Sequence, residues 1–179
     1  MAVILLLSLN IKSFTMKSLI LSTILLFSSF AGHSAPLLSS AGHLSPLLNL
    51  YLDIKDALVS SDAATATAKA AEFTKVVNAV DVNSLTAAEQ TAFKPLQQKL
   101  SADADQIATA VDLAAQRAAF KAFSDHVYAL SKAVKLSDEP VYQQYCPMKK
   151  SYWLSKDAAI KNPYYGKQML TCGKVSDTL

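Results

Sequence analysis

Sulfur is unevenly placed in this chain. Of its two Cys and four Met, Met1 and Met16 stand near the N-terminus, while Cys146, Met148, Met169 and Cys172 all fall in one C-terminal segment. They run Cys-Pro-Met and then Met-Leu-Thr-Cys, with an aromatic-rich stretch between. Thiolate and thioether are soft, polarisable ligands that select Cu(I) over hard cations. A turn joining the two arms would set two of each around one ion. Pro147 and Gly173 stiffen or sharpen the chain beside these positions, as a preformed site requires. A second chemistry is open to the same pair. In an oxidising compartment Cys146 and Cys172 would form a disulfide, closing a loop of about 26 residues and contributing roughly 3 kcal/mol through the unfolded state. The two Met would then fill gaps against the aromatics. A reduced form that binds metal and an oxidised form that does not are compatible.

Other residues have a chemical reading and a plainer one. His126 lies between Phe123 and Leu130 on an apolar stripe, which makes a hydrogen-bonded core or interface histidine the default and a fifth ligand the minority reading. His33 and His43 sit in an N-terminal leader and would hold metal only loosely. Trp153 is expected as a core anchor, with a cation–π cover over Cu(I) as the alternative. Tyr142, Tyr145, Tyr164 and Tyr165 are expected to pack. Enzyme signatures are absent: the sequence has no phosphate-cradling Gly loop, no His-Glu-x-x-His and no nucleophile elbow. A Cys–His nucleophilic pair has no support in the spacing, and the Cys-x-x-Cys of thiol–disulfide enzymes is missing. No catalytic residue is expected.

The elements that must position the sulfurs follow from periodicity. Residues 1–31 read as a secretory signal, with Met16 an alternative start: Lys17 precedes a short apolar run of Leu, Ile and Phe, and Ser29-Phe30-Ala31 offers small residues for cleavage after Ala31. The uncharged run is too short to span a bilayer comfortably, no Cys follows it to carry a lipid, and the product is expected to be exported to the periplasm with no membrane span. Residues 32–45 read as a flexible leader, and residues 46–179 as a single helical domain that includes the Cys/Met segment 141–173. Leu47, Tyr51, Ile54 and Leu58 form one apolar stripe, and Ala66, Ala70, Phe73, Val77 and Val80 a second. Ser61-Asp62 can end the first helix and cap the next. Thr86 with Glu89 fits a capping box. The helix it opens meets Pro95, which predicts a kink or break before Leu96, Leu100 and Ile107. A last helix over residues 113–135 places Ala119, Phe123, His126, Leu130 and Val134 on one side, and Asp138-Glu139-Pro140 stops it. The fold class expected is all-α: an up-down bundle of about four helices with a turn-rich, aromatic- and sulfur-rich C-terminal segment packed on it. Within that segment, residues 141–145 suggest a short strand, and Ser155 with Asp157 suggests a brief helix ended by Asn162-Pro163.

Charge bounds the partners. The whole chain carries Lys+Arg 17 against Asp+Glu 14, and cleavage would remove Lys12 and Lys17, leaving a product near neutrality. Such a chain, without a basic patch in its sequence, does not suit nucleic acid.

The stretch Tyr51-Leu52-Asp53-Ile54-Lys55-Asp56-Ala57-Leu58-Val59, then Gln116-Arg117 with Phe120 and Ser124, resembles the helical part of a bacterial family. The tail, Gln144-Tyr145-Cys146-Pro147-Met148, Trp153-Leu154-Ser155, Ile160-Lys161-Asn162-Pro163-Tyr164-Tyr165-Gly166 and Met169-Leu170-Thr171-Cys172-Gly173, resembles its most distinctive part. The family is the periplasmic domain of unknown function 3347, found alone or fused to the adaptor (membrane fusion) subunits of copper/silver and cobalt/zinc/cadmium efflux systems. The link from Met148 to Trp153 is shorter here than in many relatives. The resemblance implies a heavy-metal context with copper foremost, and an efflux complex or its adaptor subunit as partner. With it, Cys146, Met148, Met169 and Cys172 become the expected metal residues and Cu(I) the expected cargo. A disulfide-stapled periplasmic interaction module without metal stands as the alternative. The sequence is silent on oligomeric state.

Overall fold

The computed structural model describes residues 42–179. The expected signal and most of the leader lie outside them. Four helices come first: α1 (Ser45–Ser60), α2 (Ala63–Ala79), α3 (Ala87–Ala108) and α4 (Leu113–Ala133), with a single 3-10 turn at Val82–Ser84. Three short strands follow, β1 (Tyr142–Cys146), β2 (Ser151–Ser155) and β3 (Lys174–Thr178), with a second 3-10 turn at Gly166–Gln168.

Local sequence chemistry accounts for the helix ends. Pro46 sits in the first turn of α1, where its missing N–H costs nothing. Ser61 ends α1 in a left-handed conformation, φ 62°, and Asp62 caps α2 by accepting from the Thr65 N–H. Thr86 and Glu89 form the reciprocal capping box that their spacing predicts. Asp112 caps α4 through the Ala115 N–H. Pro95, expected to kink or break its helix, lies inside an uninterrupted α3. It is on the exposed face, where water can satisfy the carbonyl it frees, while Phe93, Leu100, Ala104 and Ile107 clamp the opposite face in the core.

Successive helices pack on one another, and α1 is buried nearly all round because α4 and the strand segment cover it as well. Leu44, just before α1, is also fully buried. On α4 the buried face is Gln116, Phe120, Phe123, Ser124, Val127 and Leu130. That is a stripe rotated from the expected one, leaving Ala119, His126 and Val134 only half-buried. Two polar residues lie on this face because each has work across it. Gln116 donates to the Ala63 carbonyl and the Thr67 hydroxyl, and Ser124 Oγ lies 2.7 Å from Tyr51 Oη.

The all-α expectation is corrected by the C-terminal segment, which is a three-stranded antiparallel sheet in the order β2-β1-β3. Tyr142 pairs with Ser155 and Cys146 with Ser151 across β1/β2, and Tyr145 pairs with Lys174 across β1/β3, with a bulge between Gln143 and Gln144. The brief helix expected after Ser155 does not form. Ser155 closes β2, and residues 156–159 bend instead, because the buried Gln144 amide gathers the carbonyls of Asp157, Ala158 and Ala159 that a helix would use. The sheet docks on the bundle through a chain of rings. Phe73 meets Phe123 at 4.7 Å between centroids, Phe123 meets Tyr51 at 5.5 Å, Tyr51 meets Phe120 at 5.3 Å, and Phe120 meets Tyr164 at 5.9 Å, which touches Trp153 at 6.1 Å. Among the described residues no helix is long and apolar enough to cross a membrane.

Candidate metal centre

The sheet brings the two cysteines together. Cys146 is the last residue of β1 and Cys172 lies two residues before β3; with those strands paired, the two Sγ atoms stand 3.4 Å apart, both as free thiols. Cys146 is fully buried and Cys172 half-buried, so the pair sits just beneath the surface.

Three local features hold it. The first is the turn over residues 147–150 that links β1 to β2, closed by Lys150 in the left-handed region, φ 50°. Its backbone amides favour thiolate: the Lys149 and Met148 N–H groups act to lower the Cys146 pKa, and the Met148 N–H acts the same way on Cys172. Successive N–H groups acting on one atom form an anion-stabilising nest. The second is Gly173, φ 154°. A Cβ there would lie 2.8 Å from the Trp153 ring and 3.0 Å from the Tyr145 carbonyl, so only glycine lets the second arm lie this close to β1. The third is Asn162, fully buried, whose amide donates to the Cys172 carbonyl at 2.7 Å while its own oxygen accepts from the Tyr164 N–H at 2.8 Å. The sequence read Asn162-Pro163 as a helix stop. The signal that could have shown its role is an Asn-Pro step inside an aromatic run, where the Asn side chain must stand in for backbone.

These contacts polarise the pair. Burial pushes the Cys146 thiol up, but the Lys149 N–H, the Cys172 thiol, the Asn162 amide and the Met148 N–H together outweigh it and bring its pKa below the ordinary thiol range. The hydrogen bond to Cys146, with burial and the neighbouring charge, raises Cys172. The pair therefore gives up a first proton readily and a second with difficulty, and the half-deprotonated form shares one proton between two sulfurs.

The two methionines lie close to the pair along the chain, and both are exposed. Met148 is in the turn after Cys146 and 65% exposed; Met169 is 38% exposed, and its carbonyl accepts from the Cys172 N–H at 3.1 Å. Trp153 is an anchor, fully buried beneath Gly173, with an indole N–H that has no partner among the described residues. His126 is elsewhere: its Nδ1 lies 2.6 Å from an Asp103 carboxylate oxygen between α4 and α3. His43 lies near Glu89, and His33 is outside the described residues.

Among the described residues no cluster of three or more His, Cys, Asp or Glu side chains is arranged to hold a metal. Any metal at this position would take its donors from sulfur. Two thiolates on a tetrahedral ion with bonds of about 2.3 Å stand roughly 3.8 Å apart, whereas a disulfide requires about 2.05 Å. At 3.4 Å the pair is within a small side-chain adjustment of the metal-bridging span and needs a larger approach to form the covalent bond. Sulfur donors of this kind suit a soft ion in preference to a hard one.

Neither the curated proteins nor the solved structures contain a match to this chain. A family model does match, over residues 47–139. Its span takes in most of α1, all of α2, α3 and α4, and ends before β1, so the four sulfur residues lie beyond it. With just over half of its length matched, the chain belongs to the family described as protein of unknown function (DUF3347).

Proposed function

We propose that this chain is a periplasmic soft-metal-binding protein that holds Cu(I) between the thiolates of Cys146 and Cys172, with Met148 and Met169 as supplementary thioether ligands. The observation that carries this reading is the pair of free thiols at 3.4 Å beside backbone N–H groups that favour thiolate. Two thiolates suffice for an ion that tolerates low coordination, while Zn²⁺ in a structural site takes four ligands. The exposure of both methionines suits an ion that must be received and passed on at the surface. The role is to hold or hand over metal for a heavy-metal efflux assembly or its adaptor subunit, without covalent catalysis.

An anaerobic competition titration of the reduced protein against a chromogenic Cu(I) chelator tests this. One Cu(I) withdrawn per chain is expected, with loss of tight binding in the Cys146→Ser/Cys172→Ser variant and weaker binding in Met148→Leu/Met169→Leu. Full affinity in the double Cys variant would sink the assignment. The same proximity favours a second reading, an interaction module stapled by a Cys146–Cys172 disulfide. Protein that is bridged as isolated, and takes up no Cu(I) after reduction although still folded, would establish that reading in place of the first.

A further inference from the structure

Beside the sulfur turn lies a concavity that neither the thiol chemistry nor the family assignment uses. It has a volume of about 520 Å³ and lies between α4 and the C-terminal segment, and its walls include Arg117, Lys121, Lys149, Ser151, Tyr165 and Gln168. Three cations line it and no carboxylate does. Lys55, Lys69, Lys132, Lys135, Lys156 and Lys161 are each paired with an Asp or Glu; Arg117, Lys121 and Lys149, like exposed lysines such as Lys75 and Lys99 outside the cavity, form no ion pair among the described residues, and what distinguishes these three is that they line one concavity together. Asp125, one helical turn beyond Lys121, is close enough to feel its charge but does not line the cavity.

The central cation is built in. Arg117 Nε donates to the Pro163 carbonyl at 2.9 Å, and Nη2 donates to the Leu58 carbonyl at 2.8 Å and to Ser61 Oγ at 3.0 Å. Gly166 leaves the room for it, since a Cβ there would stand 2.4 Å from Nη2. A guanidinium has five N–H donors. Three are spent on neutral oxygens and both on Nη1 have no partner among the described residues, so a fixed fork keeps its full charge and two spare donors. Lys149 lies over the Tyr165 ring, 4.9 Å from its centroid. This gives the cavity an aromatic wall beside a second cation.

We propose that this cavity binds a small organic or inorganic anion bearing carboxylate or phosphate groups. Arg117 supplies directional donors, Lys121 and Lys149 supply charge, and the volume lies within the range of about 300–1,000 Å³ usual for small-molecule sites. The inference stands whether or not the thiol pair binds metal.

Calorimetric titration of the reduced, metal-free protein with pyrophosphate and with citrate tests it. Expected is saturable binding of one anion per chain for at least one probe, weakening as salt rises from about 50 to 300 mM. The probe that binds identifies phosphate or carboxylate as the preferred group. Lys121→Glu/Lys149→Glu, both at exposed positions, should lower affinity at least about tenfold. Lys75→Glu/Lys99→Glu, equally exposed and outside the cavity, should change it less than about twofold. Absence of saturable binding with both probes, or equal loss in the two variants, would overturn the proposal.

Discussion

Replacing Tyr51 with Phe isolates the tie between bundle and sheet. Strand β2 is an outer strand, and the Leu154 N–H on it donates at 2.8 Å to the Tyr51 hydroxyl, which also lies 2.7 Å from Ser124 Oγ. All three residues are essentially buried. Tyr51→Phe keeps the stacking with Phe120 but strands the Leu154 N–H without water, at a cost of about 1–3 kcal/mol. Ser124 loses less, because its hydroxyl can turn to the carbonyl one helical turn back. A loss of about 2 kcal/mol is expected, equivalent to a fall in Tm of roughly 6–10 °C for a domain of this size. Urea unfolding followed by fluorescence of Trp153, the only Trp and fully buried beside Leu154, reads it directly. Tyr152→Phe serves as control, being 36% exposed. The same substitution has an alkaline signature. Burial foremost holds the Tyr51 hydroxyl neutral well above the ordinary tyrosine range, so its share of stability is full below about pH 10 and is lost as pH rises beyond that, when the unfolded chain ionises first. Tyr51→Phe should flatten that decline. A loss below about 0.5 kcal/mol in the urea experiment would refute the claim that this hydroxyl fastens the sheet.

The remaining predictions concern the glycine, the cap and the thiols. Gly166→Ala, at φ +55° with a Cβ 2.4 Å from Arg117 Nη2 and 3.0 Å from the Val59 carbonyl, should destabilise by at least about 1–2 kcal/mol from backbone strain alone, read from the urea midpoint. Glu89→Gln should cost about 1 kcal/mol near pH 7. The Thr86 N–H holds the Glu89 carboxylate below its usual range against the opposing effect of burial, so its contribution is present above the unfolded carboxylate pKa and is lost as pH falls through the folded one; the gap between variant and parent should close in acid, as denaturation at pH about 7 and about 3 would show. Cys172→Ala removes a thiol that favours the Cys146 thiolate, and should move the Cys146 titration upward in thiolate ultraviolet absorbance; an unchanged titration would contradict the coupled pair.

Helices with strong stripes and caps were legible in large part: Asp62, Thr86 with Glu89, the α1 stripe Leu47, Tyr51, Ile54 and Leu58, and Ala66, Ala70, Phe73 and Val77 on α2 follow from spacing, whereas the burial of Leu48, Leu50, Leu52 and Lys55 around α1 depends on what packs on its other sides. The face of α4 was not. Gln116 and Ser124 are polar, and a stripe drawn through apolar residues passes over them to His126, although their partners on α1 and α2 pull them inward. The sheet was half legible. A strand near residues 141–145 was expected, but β2 is buried at four of its five positions and β3 is exposed at four of its five, so neither alternates as a half-buried strand would. The turn Pro147-Met148-Lys149-Lys150 carries no Asn-Gly or Asp-Gly signal, since Lys150 takes the positive φ that glycine would usually supply. A turn joining the two arms was conceivable from order along the chain, while the closeness and depth of Cys146 and Cys172 depend on a β1/β3 pairing that no local pattern announces.

The family match stops at residue 139, yet the helices it covers are shaped for what lies beyond it. Tyr51 accepts from the Leu154 N–H of β2, and Arg117 donates to the Pro163 carbonyl while also closing the carbonyl end of α1 at Leu58. Phe120 packs on Tyr164, and Ser124 completes the hydrogen bonding of Tyr51. Within the bundle Tyr51 pairs with Ser124 and Arg117 with Leu58 and Ser61. The C-terminal segment adds the Leu154 N–H to the first and the Pro163 carbonyl to the second, backbone groups whose burial without partners would be costly. The polar positions of the helices are thus complementary to the C-terminal segment, and the segment's geometry is what holds two sulfurs 3.4 Å apart at the edge of the fold. The bundle fixes the sheet, the β1/β3 pairing fixes the thiols, and the turn over residues 147–150 that follows Cys146 also carries Lys149 into the cavity lining.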